Sequence, residues 1–539
     1  MKQRKYFDIH GVVGRHSKPP ARLPWLPQSL CEDMRSVRVH AAAVSHAESV
    51  DYSFVAGDAK LLEVARAEPR LCGVATLPPT AAFETGDPDY LTKLLDAGFR
   101  GVKIMPSKFS CGHDPRDMKA IAELLIERGL PLFYPRGEGF EGLTALLDAY
   151  QSLNVILLGA SWGDNRQLFP LLERHPNLYF DYSKNQANDI LELTKQHFGI
   201  GRVLYGTGWP WASMGALKSL TEYAVLSEND KDMVAHLNAC RLLKIDPNEL
   251  TLYGDTDCAF DCIALAADQG LPMPVPVIDA HTHMAPGEHK TVSGLMMLHS
   301  SCEHITPKLD SLGVEAILTA PWEGIATDGM AGNAHTVHAA RKFPGRYYGY
   351  NTCNINYDDD LAGWRRWFEQ YPDVFVGIKP YWPYQQFSLL DERLAPWLAY
   401  ADARRLLCLV HTTSDKALCE SETLCPRYPG VTFILAHAGS DYHNAEGCVR
   451  VAKACRNAVL EITYTSLTRG LVEYLVSEIG ADRVLYGSDL PMRDPAPQLG
   501  WVAYAEISEE DKKKILYGNI NKLMALRLGS PLGELSRSD

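Results

Sequence analysis

The stretch VPVIDAHTHM, residues 275–284, decides how the second half of the chain folds. An apolar run leads into two histidines, His281 and His283, that lie two positions apart. Residues i and i+2 of a β-strand point to the same side, so both imidazoles can face one point. The stretch therefore predicts a buried strand whose carboxyl end carries two side chains able to bind a metal.

Further strand-like runs follow this stretch, most of them separated by amphipathic segments. They lie at residues 315–320, 347–352, 374–379, 406–410, 431–436, 458–462 and 483–487. Strands that alternate with helices predict a parallel sheet, and eight such units in about 260 residues predict a closed (β/α)8 TIM-type barrel. In that fold the functional residues lie at the carboxyl ends of the strands.

Polar residues also stand at the ends of later runs in the same half. They are His411, His437 and Asp489, in the segments LCLVHTT, FILAHAG and VLYGSDLP. Imidazole nitrogens together with a carboxylate oxygen suit a divalent cation such as zinc. Because these residues and the two earlier histidines all fall at strand ends, the motifs and the architecture predict the same metal site.

The first half of the chain repeats this layout without most of the ligands. VLYGTGWP (203–210) matches VLYGSDLP (484–491), so Gly208 stands where Asp489 stands (489 − 208 = 281). VILLGAS (155–161) resembles FILAHAG and places Gly159 opposite a histidine. In FDIHGVV the first histidine survives as His10, whereas Val12 replaces the second. The first half is therefore predicted to be a second, degenerate barrel.

The length of 539 residues fits two domains better than one. We predict a degenerate barrel over residues 1–245 and a metal-binding barrel over residues 276–539. Residues 246–275 have no counterpart in either half and include a short predicted helix followed by GLPMPVP. A proline-rich tract of this kind is typical of a semi-rigid linker.

Charge and composition limit the classes of partner. A formal net charge of −13 argues against a nucleic acid or an anionic membrane surface. Thirteen dispersed cysteines without a CxxC pair, and an N-terminus without an apolar segment, predict a cytoplasmic protein. No apolar run approaches the roughly 18 residues of a membrane span. A small-molecule substrate remains the expected partner.

Taken together, DAHTH, a strand-end histidine, AHAG and GSDLP resemble the amidohydrolase superfamily. The resemblance is to the branch that includes aminocarboxymuconate-semialdehyde decarboxylase, and it extends over the chain as two copies. It implies one divalent metal, zinc or alternatively manganese, in the second barrel. It implies that the metal ligands are His281, His283, His411 and Asp489. By the same resemblance, His437 would lie beside the bound water or substrate.

These residues suggest a hydrolase acting on a small carboxylated or cyclic substrate. A divalent ion can lower the pKa of water beside it toward about 7. Asp489 would take the proton as general base, and His437 would help to stabilise the oxyanion. The same residues also suit a non-oxidative decarboxylase (a lyase). The third alternative is a non-catalytic binding protein, but the complete set of metal ligands argues against it.

Three residues at or just after the end of the fourth predicted strand are candidates for substrate contact. Other superfamily members carry a carboxylated lysine there that bridges two metals, and Lys379 in GIKPYW is near that position. The ligand-poor half keeps Lys103 in the matching GVKIMP, which favours a structural or substrate-facing role and a single metal. Tyr381 and Trp382 follow directly and are predicted to line the pocket.

The degenerate half is predicted to be a scaffold, with both barrels forming an intrachain pseudo-dimer. Relatives of the decarboxylase type borrow an arginine from a neighbouring subunit. By that resemblance Arg166, in the segment GASWGDNRQLF (159–169), is the candidate for reaching the substrate site of the second barrel. Further homo-oligomerisation stays open.

Overall fold

The structure is a computed structural model, and it divides into two compact units. Ala259 ends the first unit and Phe260 begins the second, while Leu295 and Met296 group with the first. The predicted domain limits at residues 1 and 539 lie outside the residues that the structure describes. The described residues are 3–17, 23–254, 258–287 and 295–529.

Short parallel strands form the core of the first unit. They are β1 (Phe7–Val13), β2 (Ala41–His46), β3 (Leu71–Gly73), β4 (Ala75–Thr76), β5 (Val102–Lys103), β6 (Leu132–Pro135), β7 (Val155–Leu158), β8 (Leu178–Asp181) and β9 (Val203–Leu204). They form a three-stranded sheet, β1 to β3, and a six-stranded sheet, β4 to β9. The two sheets meet at Val74, whose N–H donates to the Val44 carbonyl of β2 at 2.8 Å. The ring of strands closes where β1 meets the chain after β9, through a parallel bridge between Gly11 and Trp209.

The helices of the first unit follow its strands along the chain. They are Pro27–Ser36, Glu48–Asp51, Phe54–Ala67, Ala81–Thr85, Tyr90–Asp96, Lys119–Arg128, Phe140–Ala149, Asn165–Arg174, Ile190–Phe198, Met214–Tyr223, Glu228–Asp232 and Asn238–Leu243.

The second unit is an eight-stranded parallel barrel in sequence order. Its strands are β10 (Val277–Thr282), β11 (Val314–Thr319), β12 (Tyr347–Asn351), β13 (Phe375–Ile378), β14 (Leu407–His411), β15 (Thr432–Ala436), β16 (Ala458–Glu461) and β17 (Val484–Leu485). A parallel bridge between Thr282 and Leu490 joins the first strand to the last. The predicted pair of (β/α)8 barrels is thereby confirmed.

Helices also alternate with the strands of the second unit. They are Cys262–Asp268, Cys302–Leu312, Trp322–Ala326, Gly329–Lys342, Asp358–Gly363, Arg365–Gln370, Trp382–Gln385, Ala395–Ala403, Asp415–Leu424, Tyr442–Ala454, Leu471–Ile479, Pro495–Ala503, Glu509–Lys513 and Asn519–Leu528. The first of these lies in the predicted linker, and its capping residue Asp261 binds Lys512 of the second unit at 2.6 Å. Within the described ranges no helix has the length and apolarity needed to cross a bilayer.

The apolar runs become strands because both of their faces are covered. Strand β15, TFILA, is buried over Phe433–Ala436. Parallel strands with a filled interior on one side and helices on the other read as continuous apolar segments. The polar residues that interrupt such a run therefore mark the barrel mouth rather than a solvent face.

Candidate metal centre

The predicted site residues of the second unit all lie at or just after the carboxyl ends of its strands. His281 lies within β10 and His283 just after it, His411 closes β14, His437 follows β15, and Asp489 follows β17. Four of the five side chains are buried, while that of His411 is partly exposed. Closure of the barrel brings residues more than 200 positions apart in the sequence to one mouth.

The hydrogen bonds of His281 and His283 determine which ring nitrogens face the centre. His281 Nδ1 lies 2.8 Å from Oε2 of Glu461, and His283 Nδ1 lies 2.8 Å from the carbonyl oxygen of Ala320. The Ala320 carbonyl can only accept, so Nδ1 of His283 carries the proton. The ammonium of Lys379 lies 3.2 Å from Nε2 of His281 and donates there, so Nδ1 of His281 carries its proton too, and each Nε2 has a lone pair. These two Nε2 atoms lie only 3.1 Å apart.

Asp489 adds a third acceptor at the same point. Its Oδ1 lies 3.0 Å from Nε2 of His283 and 3.6 Å from Nε2 of His281. Although buried, this oxygen makes no hydrogen bond to any described residue. Burial alone would raise the pKa of Asp489, but the neighbouring charges, above all that of Arg493, bring it well below its ordinary value.

Three acceptor atoms that face one another repel unless a cation lies between them. Neutral imidazole nitrogens and an ionised carboxylate are the donors that zinc and manganese accept. Ligand atoms of His281, His437 and Asp489 all lie within 4.8 Å of one another. The side chains present at this mouth therefore fit a divalent metal ion.

His437 belongs to this cluster, and His411 lies against His437. His437 Nδ1 donates to the carbonyl of Thr463 at 3.0 Å, which leaves its Nε2 as an acceptor 3.1 Å from Nδ1 of His411. His411 Nε2 in turn lies 2.9 Å from the hydroxyl of Thr413. Burial lowers the pKa of His437 to about 3, so its ring is neutral.

Lys379 lies against the cluster, and the two aromatic residues after it lie beside His411. Lys379 Nζ is 3.2 Å from Nε2 of His281, and burial lowers the pKa of this lysine to about 8. The indole N–H of Trp382 donates to the His411 carbonyl at 2.8 Å. The ring of Tyr381 packs edge-on against that of His411, with centroids 5.4 Å apart. Substrate contact by these residues stays a prediction.

Arg166 lies in the helix Asn165–Arg174 of the first unit. Its Nη2 donates to the carbonyl of Leu295 at 2.8 Å, and Leu295 groups with the first unit. A contribution of Arg166 to the substrate site of the second barrel therefore stays a prediction.

Two charged residues of the site were missed by the sequence analysis. Glu461 ends β16 and accepts from His281, and burial raises its pKa to about 8. A cation bound on the far side of the imidazole would lower that pKa, because positive charge favours the carboxylate. Glu461 carried the same signal as His411, a polar residue that ends an apolar run. Arg493, which pairs with Asp489, lies in a loop where no local pattern marks it.

A second group of metal-type side chains lies on the surface of the same unit. Cys302, Glu303 and His338 offer ligand atoms close to one another. Lys342 already binds Glu303, and its charge opposes a cation there. This group is therefore a weaker candidate for a metal ion than the cluster at the barrel mouth.

Sequence comparison then identifies the family. The amidohydrolase profile matches the chain twice, over residues 18–245 and 278–526. The chain belongs to the amidohydrolase family. It is therefore an enzyme of a metal-dependent family, and the resemblance of its strand-end motifs is confirmed. No curated protein matches the chain.

Solved structures of similar fold cover about half of this amidohydrolase. The 2,6-dihydroxybenzoate decarboxylase from Rhizobium is 17% identical and covers 45% of this chain and 99% of its own, with a TM-score of 0.38. The 4-oxalomesaconate hydratase from Rhodopseudomonas palustris is 16% identical over 48% of this chain and 99% of its own, with a TM-score of 0.38. A dihydroxybenzoic acid decarboxylase from Polaromonas, solved with bound manganese, is 17% identical over 47% of this chain and 97% of its own, with a TM-score of 0.36.

Proposed function

We propose that the second barrel holds one divalent metal ion and hydrolyses a small carboxylated or cyclic substrate. The observation that carries this proposal is the set of facing acceptors, Nε2 of His281, Nε2 of His283 and Oδ1 of Asp489. Zinc is the first candidate for the metal and manganese the second, because both accept this donor set.

His281, His283 and Asp489 would hold the ion. His411 is the predicted fourth ligand, and His437 is the neighbour with an acceptor atom nearer to the cluster. When bound, the ion supplies a Lewis acid that acidifies nearby water and polarises a carbonyl group. The buried walls of the mouth strengthen these electrostatic effects, because little water screens them.

The hydrogen bonds favour His437 as the general base. Its Nδ1–H is used by Thr463, so Nε2, which faces Nδ1 of His411 at 3.1 Å, is the ring atom that can take a proton from the attacking water and return it to the leaving group. Asp489 is less suited to that task, because Arg493 already binds its Oδ2 and its Oδ1 faces the histidines that would hold the ion. This assignment moves the role of general base from Asp489, where the sequence suggested it, to His437.

Lys379 is the best donor for the oxyanion that forms during attack. Its ammonium is buried at the mouth and has further N–H groups beyond the one that faces His281. A preorganised donor in a dry site stabilises developing negative charge strongly. His437 cannot donate from Nε2 in its present tautomer, so this role passes to the lysine.

A non-oxidative decarboxylase is the second candidate, and one observation favours it. Two buried cations, Lys379 and Arg493, lie beside the cluster and could bind the carboxylate that leaves as carbon dioxide. That reaction needs no base to activate water. Carbon dioxide release from a panel of unsaturated and aromatic carboxylates, measured beside hydrolysis of lactones and amides, separates the two reactions.

The remaining features of the proposal concern partners and location. A small-molecule substrate, with no nucleic acid and no membrane surface, fits the net charge of −13. The thirteen cysteines are all free thiols, which supports a reducing compartment such as the cytoplasm. The same proposal includes an intrachain pseudo-dimer of the two barrels and a contribution of Arg166 to the substrate site of the second barrel. Unchanged turnover in Arg166→Ala would rule out that contribution.

Elemental analysis of protein purified without added metal is the decisive experiment. The expected result is one divalent ion per wild-type chain, which His281→Ala loses. Two ions per chain would instead indicate that Lys379 bridges a binuclear site. If neither purification nor soaking with zinc or manganese gave bound metal, the proposed function would be wrong.

A further inference from the structure

Glu461 is a buried carboxylate outside the predicted ligand set, and both of its oxygens are used. Oε1 accepts the N–H of Thr463 at 2.6 Å, and Oε2 lies 2.8 Å from Nδ1 of His281. The N–H of His437 also points at Oε2, at 3.4 Å. These contacts hold the carboxylate in one orientation against the imidazole.

This contact determines which nitrogen of His281 is available. An acceptor at Nδ1 keeps the proton there and leaves the lone pair on Nε2, where it faces His283 and Asp489. Without that acceptor the proton could move to Nε2, and the ring could turn. A histidine that binds a metal usually needs such a partner on its other nitrogen.

Gly487 leaves the space in which this contact forms. A Cβ atom at that position would lie 2.4 Å from Oε1 of Glu461 and 2.9 Å from Cβ of His281. Any side chain there would push the carboxylate and the imidazole apart. The close approach of Glu461 to His281 therefore requires a glycine at position 487, which itself offers no metal ligand.

The first unit contains the same pair without the ligand set. Nδ1 of His10 lies 3.0 Å from Oδ2 of Asp181, which also accepts the N–H of Gly159 at 2.9 Å. Gly206 leaves the room there, since its Cβ would lie 2.7 Å from Cβ of Asp181. A histidine–carboxylate pair of this kind thus forms where two of the ligand positions, 159 and 208, are glycines.

We propose that Glu461 is a positioning residue that fixes the ring and the tautomer of His281 for metal binding, in a space left by Gly487. This inference rests on the proposed metal site, and it adds a residue that neither touches the metal nor reacts. Asp181 in the first unit then provides a matched control for the purely structural effect of such a pair.

The test is the metal affinity of Glu461→Gln, measured by competition with a chelator for zinc. The glutamine has one oxygen where the glutamate has two, so its amide cannot accept from both Thr463 and His281. If the amide nitrogen faces Nδ1, the proton moves to Nε2 and the lone pair is lost. We expect the affinity to fall by about 10- to 100-fold. The visible absorption of the cobalt-loaded protein should weaken in parallel.

Two further variants keep the test sharp. Glu461→Asp should retain more affinity than Glu461→Gln, because an aspartate suffices for the equivalent contact in the first unit. Asp181→Asn should leave zinc affinity at the wild-type value, whatever it does to thermal stability.

Three outcomes are distinguishable. A wild-type protein that binds no zinc overturns the proposed function itself. A wild-type protein that binds zinc, with Glu461→Gln and Glu461→Asp binding it equally well, overturns the role of Glu461 alone. If Glu461→Gln does not fold, wild-type zinc affinity of Gly487→Ala, whose Cβ would displace the carboxylate, would overturn it as well.

Discussion

The guanidinium of Arg493 binds Oδ2 of Asp489, four residues before it, and so leaves Oδ1 to face the imidazoles of His281 and His283. The pair is buried on both sides. One oxygen of the carboxylate thus binds a fixed cation of the chain, and the other faces the position that suits a metal. This arrangement explains why the carboxylate stays ionised in a dry environment.

Removing Arg493 should show how strongly the buried carboxylate of Asp489 destabilises the fold when no cation lies beside it. We expect Arg493→Met to lower the free energy of unfolding of metal-free protein by about 3–5 kcal/mol, because an uncompensated buried charge remains. Added zinc should restore part of the loss, since the ion replaces the missing charge. Denaturant titration with and without zinc measures both effects.

The control for that variant is Arg136→Met in the first unit. Arg136 pairs with Asp164 at 2.7 Å, but its side chain is 47% exposed. A pair of that kind contributes about 0–1 kcal/mol, and zinc should not change the result. Equal losses in the two variants would contradict the importance of burial at Asp489.

Lys379→Met should separate catalysis from metal binding. We expect kcat to fall by about 100- to 1000-fold, because a donor to the oxyanion is lost. Metal content should stay at the wild-type value. The matched variant Lys103→Met removes a buried lysine whose ammonium contacts Ser45 in the first unit, and it should leave turnover unchanged. Loss of metal from Lys379→Met would point to a bridging ligand instead.

The first barrel should bind a metal ion when the missing ligand side chains are introduced. Gly159 and Gly208 both have φ near +70°, close to the +68° of His437 and the +64° of Asp489. A Cβ at either glycine would meet only His10, at 3.9 and 3.8 Å. The backbone and the space at these two positions therefore suit the missing side chains.

We expect the triple variant Val12→His, Gly159→His and Gly208→Asp to bind a divalent ion. In the His281→Ala background, elemental analysis should find metal with the triple change and none without it. The left-handed backbone should reduce stability by about 1–2 kcal/mol at each former glycine. A protein that folds but stays free of metal would refute the equivalence of the two mouths.

Asp58 should make the stability of the first unit depend on pH. Burial raises its pKa from 3.8 to about 7, so the native state holds a proton that the unfolded chain has released. Stability should therefore fall as pH rises from about 4 to about 7, by up to about 1.4 kcal/mol per pH unit. Asp58→Asn should make this slope shallower without abolishing it, because burial also raises the pKa of Asp8 in the same unit to about 6. Denaturant titration across that range measures the change. Asp89→Asn, at an exposed carboxylate, should keep the slope, and an unchanged slope in Asp58→Asn would contradict the assignment.

The barrels and their mouths were readable from the sequence because their signals are local. An apolar run that ends on a polar residue, such as the one before His437, indicates both a buried strand and the place where that strand ends. The two-residue spacing of His281 and His283 likewise indicates that both side chains point to the same side of their strand. Glu461 carried an equal signal and could have been predicted on the same argument.

The sequence by itself thus determined two barrels and which strand ends carry ligand-type side chains. Only the tertiary structure decided which atoms face one another. The proton on Nδ1 of His281 depends on Glu461, 180 residues away, and the free Oδ1 of Asp489 depends on the orientation of Arg493. Such contacts form when the barrel closes, because hydrogen-bond direction is set by the relative position of strands and not by their order along the chain.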